Sequence, residues 1–318
     1  MAYLTSAYGT FAAGSFGYSN AASAIINRED LVDVVTILDS FQTPFFSSAP
    51  KVRARDVVHS WTYDTLAGTS TAGAVEANDF EAQALTSPAR LYNVTQIFSR
   101  SVAVSDRERD ANPAGIRDMY EHQIMKEFKV LARNAESAFF QLTATTATGS
   151  TAAASRMAGF HGFSMIKSGS ASGSVTTANI VQLSQTLYEN GAEPDSIWFA
   201  PASKRQFVDA TVTSGSGNVR NIAATDQRLV ANIDVFETPF NQMYAVITDR
   251  FIPMSSTSGT NGYFIGDRSM AKVAFFRPPQ HKPMGKNGDH TRGLVLQELT
   301  LELTHPSAWG VFSGITGS

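Results

Sequence analysis

The stretch PAGIRDMYEHQIMKEFKVLARNAESAFFQL, from Pro113 to Leu142, decides how the chain is organised. Its apolar residues recur every three or four positions and so share one face of an α-helix: Ile116, Tyr120, Ile124, Phe128, Leu131, Ala135, Phe139 and Leu142. Asn112 is a suitable N-cap, and Pro113 fits the first helical position. At about 1.5 Å per residue, a helix of this length would be about 45 Å long. The pattern predicts a spine helix over residues 113–142.

A long segment in front of this helix is typical of paired strands. Residues His59–Asp64 alternate in character, and residues Arg90–Phe98 return in the same style. Small residues at 67–74 separate them and predict the tip of an extended hairpin within residues 51–104. Because two strands alone are marginally stable in water, this hairpin is expected to find its burial on another chain. Two interpretations of the spine helix remain open: a buried helix of an ordinary α/β protein, or the stiff member of a plate-like shell subunit.

The remaining chain mixes helices and strands. Residues 1–27 resemble an extended arm with scattered aromatic residues, either a disordered tail or an anchor on a neighbouring subunit, and a short helix is expected over residues 28–40. Residues 41–46 are expected to end that helix, since the residue before Pro44 avoids the α region. Further helices are predicted at 177–190 and 201–210. Strands are predicted at 196–200, 233–237, 244–247, 262–266, 272–276 and 294–303. The predicted class is α+β.

Composition narrows the possible functions. The chain has 318 residues, a net charge of −3 and no cysteine, which excludes disulfides and thiolate metal sites. Charged residues make up 17%, below the ~25% typical of soluble domains, as suits a subunit that hides much of its surface. The weak net charge argues against a dedicated nucleic-acid binder. No secretory signal or membrane-spanning segment is expected.

No catalytic constellation emerges from the sequence. Ser164 and Lys167 match S-x-x-K, but no companion motif accompanies them. His281, His290 and His305 lack the short spacing of a helical zinc site. Residues 106–110 and 76–81 are rich in carboxylates and indicate a solvated face or an ion-pair rim. Lys51, Arg53 and Arg55 alternate in strand register, which indicates either a polar strand face or an ion-pairing or DNA-facing strip. We therefore expect no catalytic residue, no cofactor and no metal.

Several local motifs resemble one known family in the order in which they occur. Residues 43–51, TPFFSSAPK, precede His59-Ser60-Trp61, and residues 84–98, ALTSPARLYNVTQIF, follow as a return strand. Near the end come VFETPF at 235–240, FFRPP at 275–279, QELTLEL at 297–303 and Ala308-Trp309-Gly310. Together, over about residues 36–313, they resemble the major capsid proteins of tailed phages with the Hong Kong 97 fold.

That resemblance implies an architecture of five parts. The N-terminal arm would be 1–50, the extended loop 51–104, the peripheral domain 105–174 with the spine helix, the axial domain 175–235, and 236–318 the C-terminal strands that complete the peripheral domain. It also implies a virion subunit made in the host bacterial cytoplasm. This subunit would form hexamers and pentamers around double-stranded DNA, touch that DNA without sequence specificity, and work with portal, scaffold or cement proteins but no membrane.

One departure from the family and three competing functions follow. Some relatives cross-link their shells through a lysine in the extended loop, but residues 52–90 contain no lysine, so this chemistry is not expected. An encapsulin-type nanocompartment shell would share the fold and enclose enzymes instead of DNA. A hydrolase using Ser164 and Lys167 is a further alternative, and an adhesin or tail component is the last.

Overall fold

The computed structural model describes residues 42–66, 68, 69, 71, 73, 76, 86–111, 116–143, 146–213, 233–253 and 262–315. Five α-helices lie in these ranges: α1 Pro44–Ser48, α2 Asp106–Asp110, α3 Met119–Gln141, α4 Thr177–Glu189 and α5 Pro201–Thr213. The same ranges contain twelve strands: β1 Lys51–Arg53, β2 Val58–Tyr63, β3 Ala89–Val94, β4 Gln96–Ser105, β5 Lys167–Gly173, β6 Ser196–Phe199, β7 Val235–Glu237, β8 Met243–Thr248, β9 Tyr263–Gly266, β10 Ala271–Met284, β11 His290–Leu303 and β12 Trp309–Ile315. Single 3-10 turns are formed by Phe160–Gly162, Arg268–Met270 and Pro306–Ala308.

A four-stranded sheet with the order β1-β10-β11-β4 forms the first body of the molecule. The long strands β10 and β11 pair antiparallel at its centre, β4 is antiparallel to β11, and β1 is parallel to β10. Helix α3 packs on β4 and β11. The buried side chain of Gln297 donates to the carbonyl of Leu131 at 3.0 Å, which ties strand and helix together.

A six-stranded mixed sheet with the order β5-β12-β9-β6-β8-β7 forms the second body. Strand β6 is buried at every position and pairs parallel with β8 and antiparallel with β9. Helix α4 packs against β5 and β12, and α5 packs against β6. The separate sheets and the helices on their faces confirm the α+β class.

The strands after residue 236 divide between the two sheets, unlike the sequence-based division that placed them all in one domain. Strands β10 and β11 build the four-stranded sheet, whereas β8, β9 and β12 complete the six-stranded one. The physical reason is the burial of β6. Its backbone N–H and C=O groups need partners on both edges, and β8 and β9 supply them.

The spine helix exists but starts later than the predicted residue 113. Residues 116–118 are not helical, and residues 112–115 lie outside the described part of the chain. Asp118 is the N-cap, and its carboxylate accepts the backbone N–H of Tyr120 at 2.8 Å. A carboxylate at this position satisfies an otherwise unpaired donor of the first turn. Helix α3 therefore runs Met119–Gln141.

The predicted apolar face of α3 is buried mainly in its second half. Leu131, Ala135 and Phe139 are buried there, whereas Ile124 and Phe128 are half-buried. Around this end an aromatic cluster joins the two sheets. Phe45 of α1 lies at its centre, with ring centroids 5.2–6.3 Å away and planes nearly perpendicular: Phe139, Phe140, Phe160, Trp198 and Trp309.

Other sequence predictions have mixed outcomes. Helices α4 and α5 and the strands predicted around 196–200, 244–247 and 262–266 are confirmed. Thr43, the residue before Pro44, is not helical, as expected, and a new short helix, α1, begins at Pro44, where proline fits the first turn. The arm over 1–27 and the helix over 28–40 lie outside the described residues.

Candidate assembly interface

The hairpin predicted from strand alternation is a separate two-stranded sheet of β2 and β3. It is shorter than the expected loop of 51–104, because β1 and β4 belong to the four-stranded sheet. Val58 pairs with Val94 and Tyr63 pairs with Ala89 at its two ends. At Thr95 the chain leaves the hairpin, and its N–H donates to the carbonyl of Val57 at 2.8 Å. The single return strand predicted over 90–98 therefore divides at this residue.

One face of the hairpin lies on the body of the molecule. The indole N–H of Trp61 donates to the carbonyl of Leu303 at 2.8 Å, and its ring lies 6.3 Å from that of Phe163. Further out, Tyr63 meets the ring of His305 edge-on at 5.3 Å. These contacts lie on alternate residues of β2, as expected when one face of a strand packs on a surface.

A charged contact holds the base of this face. Nε2 of His59 lies 2.7 Å from Oε2 of Glu302, so the ring donates to the carboxylate. Glu302 is nearly buried at the end of β11, and Nζ of Lys272 on β10 lies 3.5 Å from its other oxygen. The carboxylate is thus shared between the hairpin and the four-stranded sheet.

The other strand of the hairpin is held by a fully buried amide. Asn93 pairs with His59 across the ladder and has no exposed surface. Its Nδ2 donates to the carbonyls of Ala158 and Leu301 at 3.0 and 2.8 Å. Its Oδ1 accepts the N–H groups of Val94 and Ala158, both at 2.9 Å. All hydrogen-bonding capacity of this amide is used by the protein itself.

Thr95 continues the buried polar contacts below the hairpin. Its hydroxyl donates to Oε1 of Glu298 at 2.6 Å, and Nε of Arg277 donates to Oε2 at 2.7 Å. Glu298 is almost completely buried, so both partners compensate a charge that has left water. Together with Trp61, His59 and Asn93, these groups anchor the root of the hairpin to β10 and β11.

Several apolar side chains at and near the hairpin are exposed. Tyr92 on β3 is 58% exposed and Ile97 on β4 is 50% exposed. Val58 lies beside them at 37%, and Leu66, just beyond β2, is 98% exposed. Apolar side chains that stand in water on a projecting element mark a surface that another molecule covers. Within the described part of a single copy, these side chains stay exposed.

A second candidate region is the point where the N-terminal segment joins the body. Both oxygens of Glu136 on α3 accept backbone N–H groups of α1, from Phe45 at 2.7 Å and from Phe46 at 2.6 Å. Asp249 lies beside Glu136, and Oδ1 of Asp249 accepts the N–H of Phe251 at 2.8 Å. Neither carboxyl group has exposed surface.

The two carboxyl groups titrate as a pair. Burial and then the neighbouring Asp249 raise the pKa of Glu136 to about 9, and burial raises the pKa of Asp249 as well. Two carboxylates so close in a buried site favour a state that keeps one shared proton at neutral pH.

The residues considered for chemistry are not brought together. Ser164 is exposed in a turn, and Lys167 begins β5. His281 lies near the hydroxyl of Tyr120, at 3.0 Å, whereas His305 lies under the hairpin. Within the described ranges no group of three His, Asp or Glu side chains could hold a metal ion. Where the structure describes the chain, no helix is long and apolar enough to cross a membrane.

The charged stretches form contacts within the subunit. The carboxylate-rich stretch 106–110 is the short helix α2, where Asp106 pairs with Lys286 at 2.7 Å and Arg109 pairs with Asp118 at 3.5 Å. Lys51 is exposed, and its Nζ donates to the carbonyls of Phe46, Ser47 and Ala49 at the C-terminal end of α1. Arg53 and Arg55 are exposed too.

Asn93 and Glu136, the two buried polar anchors, were not singled out in the sequence. Asn93 looks like a polar residue of an alternating strand, and Glu136 looks like a solvated residue of a helix. Their partners are up to 208 and 91 residues away in the chain. One available signal for Glu136 was its place beside Ala135 on the apolar face of the spine helix.

Comparisons with known proteins agree with the resemblance stated above. A family model described as SU10 major capsid protein matches residues 14–316. The major capsid protein of Escherichia phage Phieco32 is 23% identical over 333 residues, which cover 89% of this chain and 93% of that protein. The capsid of cyanophage A-1(L) has a TM-score of 0.63 at 13% identity, covering 92% of this chain and 98% of that one.

An encapsulin also has a similar fold. The holo-SrpI encapsulin complex of Synechococcus elongatus PCC 7942 has a TM-score of 0.58 at 13% identity, covering 94% of this chain and 95% of that chain. At this identity the similarity concerns the fold alone. The architecture is the Hong Kong 97-like capsid fold, as the sequence motifs predicted.

Proposed function

This chain belongs to the SU10 major capsid protein family and is a phage virion component, and we propose that its hairpin mediates assembly into the icosahedral head. In this proposal copies form hexamers and pentamers that close a shell around double-stranded DNA. The observation that carries it is the hairpin, which is firmly anchored at its root and exposes Tyr92 and Leu66 to water.

Each part of the chain has a proposed role in this shell. The arm 1–50 overlaps a neighbour, and the extended loop of 51–104 lies over an adjacent subunit with its β2–β3 hairpin. Residues 105–174 form the peripheral domain and 175–235 the axial domain near the capsomer axis. Residues 236–318 contribute strands to both of these domains, because their strands divide between the two sheets.

The free energy of assembly comes from many moderate contacts. At about 25 cal/mol per Å² of apolar surface, an interface of standard size outweighs the loss of translational freedom only when it is well packed. A projecting hairpin adds area that a compact body cannot offer. Since residues 52–90 lack lysine, we propose a shell without isopeptide cross-links in this loop, held by burial, arm overlap and cement proteins.

The other partners follow from the same assignment. A net charge of −3 allows the inner surface to face double-stranded DNA without specific contacts. A portal and a scaffold protein would direct closure, and synthesis would take place in the host bacterial cytoplasm. None of these partners involves a membrane.

Sedimentation and electron microscopy of the purified protein test the proposal. Closed icosahedral particles are expected, and a monomer that persists at high concentration would contradict it. A second candidate, an encapsulin-type compartment, is favoured by the similarity to the SrpI shell. Particles isolated from infected cells distinguish the two, because a phage head contains DNA and a compartment contains enzyme.

A further inference from the structure

Three contacts of the hairpin root fall on consecutive residues of one strand. Asn93 donates to the carbonyl of Leu301, His59 donates to the carboxylate of Glu302, and Trp61 donates to the carbonyl of Leu303. These three acceptors end β11, which lies in the interior of the four-stranded sheet. The hairpin is therefore fixed along a line in a rigid part of the body.

Asn93 differs from the other two in what it connects. Its amide bonds Leu301 on β11 and both the N–H and the C=O of Ala158, in the segment before the 3-10 turn at Phe160–Gly162. The hairpin, the sheet and this segment meet at one buried side chain. An aspartate in its place would keep the acceptor but lose both donors, and alanine would leave the buried groups of Ala158 and Leu301 unpaired.

We propose that Asn93 is a positioning residue that sets the direction in which the hairpin leaves the body, and with it the uniform curvature of the shell. The second half of this inference depends on the function proposed above. The first half concerns the isolated subunit. A buried amide with four satisfied hydrogen bonds allows one orientation, whereas apolar contacts alone tolerate several.

The direction of the hairpin can be measured by distances between two spin labels. The chain has no cysteine, so Leu66→Cys beyond β2 and Met125→Cys on α3 give two exposed labelling sites without background. The unassembled parent subunit is expected to give a narrow distance distribution. Asn93→Ala is expected to broaden it, and Asn93→Asp is expected to broaden it as well.

Arg90→Ala is the matched control. Arg90 is on the same strand but donates to Ser60 on the exposed face, at 2.6 Å, so its loss leaves the root intact and the distribution narrow. A broad distribution in the parent, or an unchanged one in Asn93→Ala, overturns the proposal. If Asn93→Ala does not fold, Trp61→Phe removes the bond to Leu303 and reduces the ring contact with Phe163, and it is expected to give a smaller broadening. An unchanged distribution in that variant counts against the inference.

Electron microscopy of assembled particles tests the consequence. Asn93→Ala is expected to give mixed diameters and open sheets, while Arg90→Ala gives the diameter of the parent. If a variant with a broadened distance distribution still forms uniform particles, the hairpin direction does not set the curvature of the shell, and that part of the proposal is overturned. If even the parent forms no particles, the proposed function fails, but the distance measurement on the subunit still decides the role of Asn93.

Discussion

The backbone N–H of Phe45 donates to Oε1 of Glu136 at 2.7 Å, a contact between residues 91 positions apart. It places the start of α1 against the C-terminal third of the spine helix, and the ring of Phe45 fills the aromatic cluster between the two sheets. The N-terminal segment is therefore attached to the body through one buried carboxyl group. That group has Asp249, a second carboxyl group, beside it.

This pair predicts that stability falls with rising pH. The pKa of Glu136 is raised from 4.5 to about 9, so the folded state holds more protons than the unfolded state between these values. The contribution of Glu136 to stability is then greatest below the lower value and declines as the pH rises towards the higher one. Asp249→Asn replaces the repelling carboxyl by an amide that can donate to Glu136, and so should make this decline smaller.

Denaturant unfolding of the subunit at a series of pH values between 5 and 9 measures the decline. Asp106→Asn is the control, because hydrogen bonds from Lys286 and Thr291 lower the pKa of this exposed carboxyl. The stability that this group contributes is constant above its ordinary pKa and changes only in acid, so Asp106→Asn should leave the decline between pH 5 and 9 unchanged. An equal decline in the parent and in Asp249→Asn would show that the buried pair does not govern stability.

Arg277→Ala is expected to destabilise the subunit by about 1–3 kcal/mol, since it leaves the buried carboxylate of Glu298 with one donor fewer. Arg100→Ala removes an ion pair of similar geometry, 2.9 Å from Glu127, but with a half-exposed arginine. Its cost should stay below about 1 kcal/mol. If denaturant unfolding shows the same loss of stability for Arg277→Ala and Arg100→Ala, the burial of Glu298 does not strengthen its ion pair, and the prediction is wrong.

Gly159→Ala is expected to cost about 1–3 kcal/mol. A Cβ at this position would lie 2.5 Å from the carbonyl oxygen of Phe139 and 2.8 Å from that of Ala138, where the chain crosses the end of α3. Gly285→Ala is the control, because a Cβ there meets nothing within 4 Å. Thermal unfolding compares the two, and a Gly159→Ala variant as stable as the control would contradict the close packing.

Periodicity predicted the elements but not their boundaries. The apolar face of α3 repeats every three or four residues, which is visible in any sequence. The first residue of α3 depends on which residue forms the N-cap. Asn112 was the expected N-cap, but Asp118 caps the helix, so α3 starts at Met119. Strand β5, Lys167–Gly173, consists largely of small polar residues without alternation. It forms a strand because β12 pairs with it, and the local sequence of β5 does not indicate this distant partner.

The candidate interface was predictable in outline only. Alternation in β2 and the small residues after it predicted a projecting hairpin, and the order of local motifs predicted the family. The root contacts could not be predicted, because Asn93 and Glu302 acquire their roles from partners more than 200 residues away. Sheet pairing, not local preference, brings these groups together.

Deletion of residues 66–78 tests the central claim most directly, since it shortens the hairpin beyond its root and leaves the contacts of His59, Trp61 and Asn93 in place. The variant and the parent are compared by circular dichroism and by electron microscopy after assembly. The expected result is a subunit with the secondary structure of the parent that forms no closed shells. Normal closed particles from the deletion variant would contradict the account.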